Sequence, residues 1–206
     1  MTLSLLRLAA PLLLATAVAG CGASTPLRYH ALSSGGGAPL ASGSAALLVE
    51  VLPIAVPERI NREEVVLSGV GGQLEVRSGD RWAAPLADEM RQLVDESLWR
   101  QLRAADIYAA PVAPAGNGLP QYRLALRVER LEATPGRQAV AEASWTVRRL
   151  PQGQPAICRS GATEPLSAST AEAAVAGLAR ASARLAEAVA ASLGRLHAGT
   201  DNPCEG

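Results

Sequence analysis

Hydrophobic residues recur along this chain with two different spacings, and the spacings separate predicted helices from predicted strands. At helical spacing, apolar positions mark one face of residues 85–103 and one face of a second, alanine-rich helix that ends near His197. In residues 122–128 and 139–147 every other residue is apolar, which is typical of half-exposed strands. A third strand over residues 156–160 completes a predicted antiparallel meander.

Shorter apolar segments predict the remaining strands. They are residues 27–32, 46–52 and 107–110, and a glycine-linked hairpin of residues 64–68 and 73–77. Ser169-Thr170-Ala171-Glu172 is a capping box, in which hydroxyl and carboxylate each satisfy a free backbone N–H at the start of the second helix. These elements predict the α+β class, with a mixed, mainly antiparallel sheet and two amphipathic helices packed on one face.

The first 20 residues have the pattern of a bacterial export signal. Arg7 precedes an apolar run of about a dozen residues, which is too short for a bilayer core that requires roughly 20. Val18-Ala19-Gly20-Cys21 matches a lipobox, in which small residues let a peptidase reach a diacylated cysteine. Ordinary cleavage after Ala19 is the alternative, and it would leave Cys21 as a plain thiol.

The number of cysteines favours lipidation of Cys21. Of three cysteines, Cys158 and Cys204 then remain, an even number suited to an oxidising compartment. Gly22 stands where an Asp commonly retains lipoproteins at the inner membrane, so we expect an outer-membrane, lipid-anchored protein on the periplasmic face. Only five residues separate Cys21 from Leu27, which keeps the domain within roughly 20 Å of the bilayer.

Cys158 and Cys204 are predicted to form a disulfide. The bond would close a loop of about 47 residues and stabilise the fold by roughly 4 kcal/mol. Two separate thiols, one buried and one on a frayed tail, are the alternative. The predicted domain organisation is a signal peptide (1–20), a segment with the lipid anchor, first strand and Gly/Ser-rich loop (21–44), a periplasmic domain (45–199) and a C-terminal tail (200–206).

Composition excludes several kinds of chemistry. All 19 basic residues are Arg, which removes lysine-dependent sites, and they balance 19 Asp and Glu without the basic excess of a nucleic-acid binder. His30 and His197 lack neighbours at metal-ligand spacing, and no G-x-S-x-G motif occurs. Adjacent Glu63 and Glu64 would face opposite sides of a strand. We therefore predict no catalytic site, no metal site and no cofactor.

Several short motifs resemble a known family when they are taken in order. After the lipobox come Tyr29-His30-Ala31-Leu32, the segment VPERINR at 56–62, Val65-Val66 and the segment RWAAPL at 81–86. This order resembles the PqiC-like auxiliary lipoproteins of MCE-type lipid transport systems, also described as ABC-type transport auxiliary lipoproteins. The resemblance spans most of the mature chain and is densest over residues 48–102.

The resemblance implies a non-enzymatic outer-membrane lipoprotein that docks the MCE protein bridging the two membranes and assembles as a ring. ATP hydrolysis would belong to a separate inner-membrane protein. A stand-alone periplasmic lipid-binding lipoprotein and an outer-membrane assembly chaperone remain alternatives. An uncovered edge of a strand such as residues 122–128 would pair with another subunit.

Arg62 and Trp82 are the candidate partner-binding residues, and each has two interpretations. Trp82 either fills the core under the first helix or contacts the partner. Arg62 either donates hydrogen bonds that fix its loop or supplies a charge for docking.

Overall fold

The computed structural model describes residues 26–32, 40, 42–108, 110–111 and 118–204. The lipobox with Cys21 and most of the predicted Gly/Ser-rich loop lie outside these residues. Within the described part, the elements in chain order are β1 (Arg28–His30), β2 (Leu47–Val51), β3 (Glu64–Ser68), β4 (Leu74–Trp82), α1 (Leu86–Leu102), β5 (Ala104–Asp106), β6 (Gln121–Thr134), β7 (Gln138–Arg149), β8 (Ala156–Pro165) and α2 (Ala171–His197). Neither helix in this part is long and apolar enough to span a bilayer.

The predicted α+β class is confirmed, but the strands form two sheets where one was expected. One sheet has the order β1-β4-β3 and the other the order β5-β2-β6-β7-β8. The hairpin β3–β4 and the meander β6–β7–β8 are antiparallel, while β2 runs parallel to both β5 and β6. Pro53 and Pro57 have no N–H to donate and interrupt the ladder after β2; Ala55 between them still pairs with Arg127 of β6, and the chain then leaves the larger sheet before β3 begins.

The strand predicted to pair with another subunit is an interior strand. Residues 122–128 lie in β6, which pairs with β2 on one side and β7 on the other. The prediction of a free edge there is therefore wrong. The outer strands of the larger sheet are β5 and β8.

The core lies between the larger sheet and the two helices. Alternate residues of β6 and β7 are buried on the helix side, among them Tyr122, Leu124 and Trp145. Small residues let α2 approach this sheet closely: a Cβ on Gly177 would lie 3.0 Å from the Cβ of Ala139. The core is built mainly from Ala, Leu and Val, so it is filled by a short distance between helix and sheet rather than by large aromatic side chains.

Two local predictions differ from the structure. Arg103 takes a left-handed conformation (φ 54°) after α1, and the next strand starts at once as β5. The strand predicted over residues 107–110 is wrong, because the carboxylate of Asp106 accepts the N–H of Tyr108 at 2.9 Å and turns the chain there. At the start of α2, Thr170 is the N-cap in place of Ser169, and its hydroxyl accepts the N–H of Ala173 at 3.2 Å.

Candidate partner-binding site

An open cleft contains both residues predicted to bind a partner. It has a volume of about 420 Å³ and is lined by Tyr29, Asn61, Arg62, Glu63, Arg81, Trp82, Ala83, Ala84, Pro85 and Leu86. The cleft lies where β1, the loop before β3, the end of β4 and the start of α1 meet. We call it the Trp82 cleft.

Backbone hydrogen bonds fix the walls of the Trp82 cleft. The N–H of Trp82 donates to the carbonyl of Glu63 at 2.8 Å, and the N–H of Ala83 donates to the carbonyl of His30 at 2.7 Å. These bonds join β4 to the loop before β3 and to the end of β1. Pro85 is the N-cap of α1, and its carbonyl accepts the N–H of Asp88 at 2.8 Å and that of Glu89 at 3.1 Å.

Trp82 is mainly a core residue. It is 6% exposed and belongs to the same buried cluster as Leu86 and Ile60. Its burial supports the first of the two interpretations, in which the indole fills the space under α1. Only the small accessible part of the side chain lines the floor of the cleft.

Arg62 both fixes its loop and presents a charge. Its Nε donates to Oε2 of Glu64 at 2.9 Å, while the side chain stays 46% exposed. This hydrogen bond is the main reason why the pKa of Glu64 lies below its usual value. Nη1 of Arg81, which also lines the cleft, lies 3.0 Å from Oε2 of Glu63, so the cleft is lined by charges of both signs.

Tyr29 is a cleft residue that the sequence analysis did not propose as a binding residue. Its side chain belongs to β1 and is 64% exposed. The register of β1 with β4 pairs Tyr29 with Arg81 and His30 with Trp82. The sequence contains one indication of Tyr29, which is its place in the Tyr-His-Ala-Leu motif. The pairing of β1 with β4, which brings Tyr29 to the cleft, could not be predicted from that motif.

The two histidines lie in different environments and neither suggests a metal site. His30 hydrogen-bonds to Asp80 at 2.8 Å, and His197 hydrogen-bonds to the hydroxyl of Tyr122 at 2.8 Å. In the described part of the chain, no group of three or more His, Cys, Asp or Glu side chains is arranged to hold a metal ion.

Cys158 and Cys204 lie apart from the Trp82 cleft. The structure joins their sulfur atoms, with the two Cα atoms 5.2 Å apart. Cys158 is buried on β8, and Cys204 follows the end of α2. The bond therefore attaches the C-terminal segment to the larger sheet.

Solved structures share this fold. An uncharacterised protein superposes with a TM-score of 0.66 at 19% identity, over 82% of this chain and 99% of its own. Protein XCC0632 from Xanthomonas campestris has a TM-score of 0.59 at 16% identity, over 85% of this chain and 98% of its own. At these identities the likeness shows the fold alone.

Comparison of sequences identifies the family. No curated protein matches the chain significantly. The family model described as ABC-type transport auxiliary lipoprotein component matches residues 30–190. The match begins in β1 and ends inside α2, so it includes every residue of the Trp82 cleft except Tyr29. The chain belongs to the family of ABC-type transport auxiliary lipoproteins.

Proposed function

We propose that this protein is a non-catalytic outer-membrane lipoprotein subunit of an MCE/ABC-type intermembrane lipid transport system. In this role it docks the periplasm-spanning MCE protein at the outer membrane. Membership of the transport auxiliary family supports the general role, and the motif order of the sequence supports the MCE partner. Cys21 followed by Gly22 supports a lipid anchor in the outer membrane.

The observation that carries the proposal is the composition of the Trp82 cleft. An exposed Tyr29 and a half-exposed Arg62 line the cleft together, above the buried Trp82. Tyr, Trp and Arg are the residues most enriched at energetic centres of protein interfaces, because they combine a large contact area with directional hydrogen bonds. Such a cleft next to the tethered β1 is suited to hold a protein segment.

Copies of the protein would assemble as a ring around the docked partner. The outer strands β5 and β8 of the larger sheet are the elements through which neighbouring copies would pair, because an outer strand presents backbone donors and acceptors. Light scattering of the purified lipoprotein tests this part of the proposal, and a monomer at high concentration contradicts it.

The docking proposal is tested by copurification of the MCE protein from chemically crosslinked envelopes. The chain offers a matched pair of arginines: Arg62 lines the cleft, whereas Arg59 lies outside it, with a similar exposed fraction of 47% and an ion pair to Glu132. We expect Arg62→Ala, combined with Tyr29→Ala, to lower the recovered MCE protein at least fivefold. Arg59→Ala should leave the recovery unchanged. Absence of the MCE protein from the wild-type sample would overturn the proposal.

A further inference from the structure

The two ends of α2 mark two ends of the domain. Near its first turn, Arg28 of β1 forms an ion pair with Glu172. The turn between β6 and β7 also lies at this end, because the N–H of Gly136 donates to the carbonyl of Ala168, just before the helix, at 3.1 Å. Near its last turn, the hydroxyl of Tyr122 hydrogen-bonds to Nδ1 of His197. Since α2 has 27 residues, the two ends are about 40 Å apart.

The tether attaches to the first of these ends, which we call the proximal end. Residues 22–27 separate Cys21 from Arg28, a reach of at most about 25 Å. If Cys21 carries the proposed lipid, the proximal end is held next to the bilayer. The distal end, with Tyr122 and His197, then points away from that membrane.

The distal end carries a cleft that is lined by arginines. Its volume is about 610 Å³, and it is formed by Arg123, Arg148 and Arg149 together with Gly118, Leu119, Pro120, Gln121, Leu150 and Pro151. Among the described residues that line it, none is acidic. The N–H of Leu150 donates to the carbonyl of Gln121 at 2.8 Å, which ties the turn after β7 to the start of β6 and fixes the rim. We call it the distal arginine cleft.

Two of these arginines differ from most others in the protein. Most arginines in the described part pair with a carboxylate, and Arg123 does so with Glu50 at 2.6 Å. Within that part, neither Arg148 nor Arg149 forms an ion pair or a side-chain hydrogen bond. In addition, Arg148 stands directly opposite Arg123 in the β6–β7 register, an arrangement of like charges that destabilises a sheet. The fold thus keeps unneutralised positive charge in one cleft.

We propose that the distal arginine cleft binds an acidic segment of a protein partner in the periplasm. Guanidinium groups hold carboxylates through paired, charge-assisted hydrogen bonds, and an open cleft without acidic residues leaves Arg148 and Arg149 available for them. A phospholipid headgroup is the competing anion. The position of the cleft, about 40 Å from the tethered end, favours a protein over the anchoring membrane. This orientation rests on the proposed lipid anchor, and the cleft would give the partner a second contact besides the Trp82 cleft.

The test uses the full-length lipoprotein in a non-ionic detergent and a fluorescein-labelled peptide of alternating Glu and Ser. Binding is measured by fluorescence anisotropy for the wild type, for Arg148→Glu with Arg149→Glu, and for Arg137→Glu. Arg137 is the matched control, because it also lacks an ion pair in the described part but lies in the turn at the proximal end. We expect the double variant to bind at least tenfold more weakly and Arg137→Glu to bind within twofold of wild type.

Loss of folding would not explain that result. Arg148→Glu places a carboxylate opposite Arg123, so the melting temperature of the double variant should equal or exceed that of the wild type. Wild-type affinity in the double variant would overturn the proposal. It would also be overturned if soluble dihexanoyl phosphatidylglycerol displaced the labelled peptide at a lower concentration than unlabelled peptide does, since the cleft would then prefer a phospholipid.

The same variants distinguish this proposal from the proposed function. If the MCE protein copurifies equally with the wild type and the double variant, the docking function stands and the distal cleft has no part in it, which contradicts the proposal. If the peptide binds through Arg148 and Arg149 but no MCE protein copurifies with the wild type, the proposed function fails. The distal cleft as a site for acidic segments would stand, because the peptide measurement does not depend on the MCE protein.

Discussion

The carboxylate of Asp80 accepts a hydrogen bond from Nε2 of His30 at 2.8 Å, and this contact joins β4 to β1. Arg28 lies 3.0 Å from the same carboxylate, and Arg77 lies 3.8 Å from it. The Asp80 side chain is only 3% exposed. Burial alone would raise the pKa of Asp80, but the hydrogen bonds from His30 and Arg28 outweigh it and hold the pKa below its usual value.

A lowered pKa of Asp80 predicts loss of stability in acid. The carboxylate stabilises the folded protein at pH values above its unfolded pKa of about 3.9, and this contribution disappears as the pH falls through the lower folded pKa. Asp80→Asn should reduce the free energy of unfolding by about 1–3 kcal/mol near neutral pH and flatten its dependence on pH below about 5. Urea unfolding at a series of pH values measures both effects.

Glu63 supplies the control for this prediction. It also forms an ion pair with an arginine of β4, Arg81, but its side chain is 79% exposed. Because exposed ion pairs contribute little, Glu63→Gln should leave the unfolding free energy nearly unchanged. Equal losses in Asp80→Asn and Glu63→Gln would contradict the role of burial.

Two buried serines of α2 are expected to respond oppositely to replacement. The hydroxyl of Ser192 accepts the indole N–H of Trp145 at 2.8 Å and donates to the carbonyl of Val189 at 2.7 Å. The hydroxyl of Ser182 is fully buried and has no hydrogen-bond partner among the described residues. Ser192→Ala should cost about 1–3 kcal/mol because it leaves the indole N–H unpaired, while Ser182→Ala should be neutral or stabilising.

Thermal unfolding of both serine variants checks this expectation. Near-ultraviolet circular dichroism provides a second measurement, since the signal of Trp145 should change in Ser192→Ala alone. If Ser182→Ala is the more destabilising of the two, the assignment of hydrogen bonds in the core is wrong.

The bond between Cys158 and Cys204 is expected to persist in the native protein. The two cysteines are 46 residues apart in sequence. Removing the bond is therefore expected to lower the free energy of unfolding by about 4 kcal/mol, because the unfolded chain gains entropy. Replacement of both cysteines by Ala should lower the unfolding free energy by this amount. Reduction with dithiothreitol should destabilise the wild type but not the double variant. Alkylation of both cysteines in unfolded, unreduced protein would show that the bond is absent.

Periodic parts of the fold could be predicted from the sequence. The spacing of apolar residues gave both helices to within about a residue at their C-terminal ends and gave the alternating strands β6 and β7. The strand β5 was missed because Ala104–Asp106 has no strand propensity and follows α1 without a turn; pairing with β2 holds it. The second half of β4 was missed because Ser78, Gly79 and Asp80 are residue types that are rare in strands, so the predicted strand ended at residue 77.

The candidate sites depend on strand register, which the sequence does not reveal. The order of motifs selected Arg62 and Trp82, but Tyr29 joins them only through the pairing of β1 with β4. Arg123 and Arg148 face each other across β6 and β7 only because one irregularity, between Val128 and Arg130, sets the register of the long hairpin. No local sequence pattern predicts that either set of residues lies close together.

The central claim is that Cys21 carries a lipid, because the lipid determines which end of the domain faces the membrane. The most direct measurement is the intact mass of the protein extracted from native membranes, with sequencing of its N-terminal peptide. We predict a chain that begins at Cys21 and carries diacylglycerol on the thiol, and a Cys21→Ser variant that no longer fractionates with membranes. A mature chain with an unmodified Cys21 thiol, or a Cys21→Ser variant that stays membrane-bound, would contradict the account.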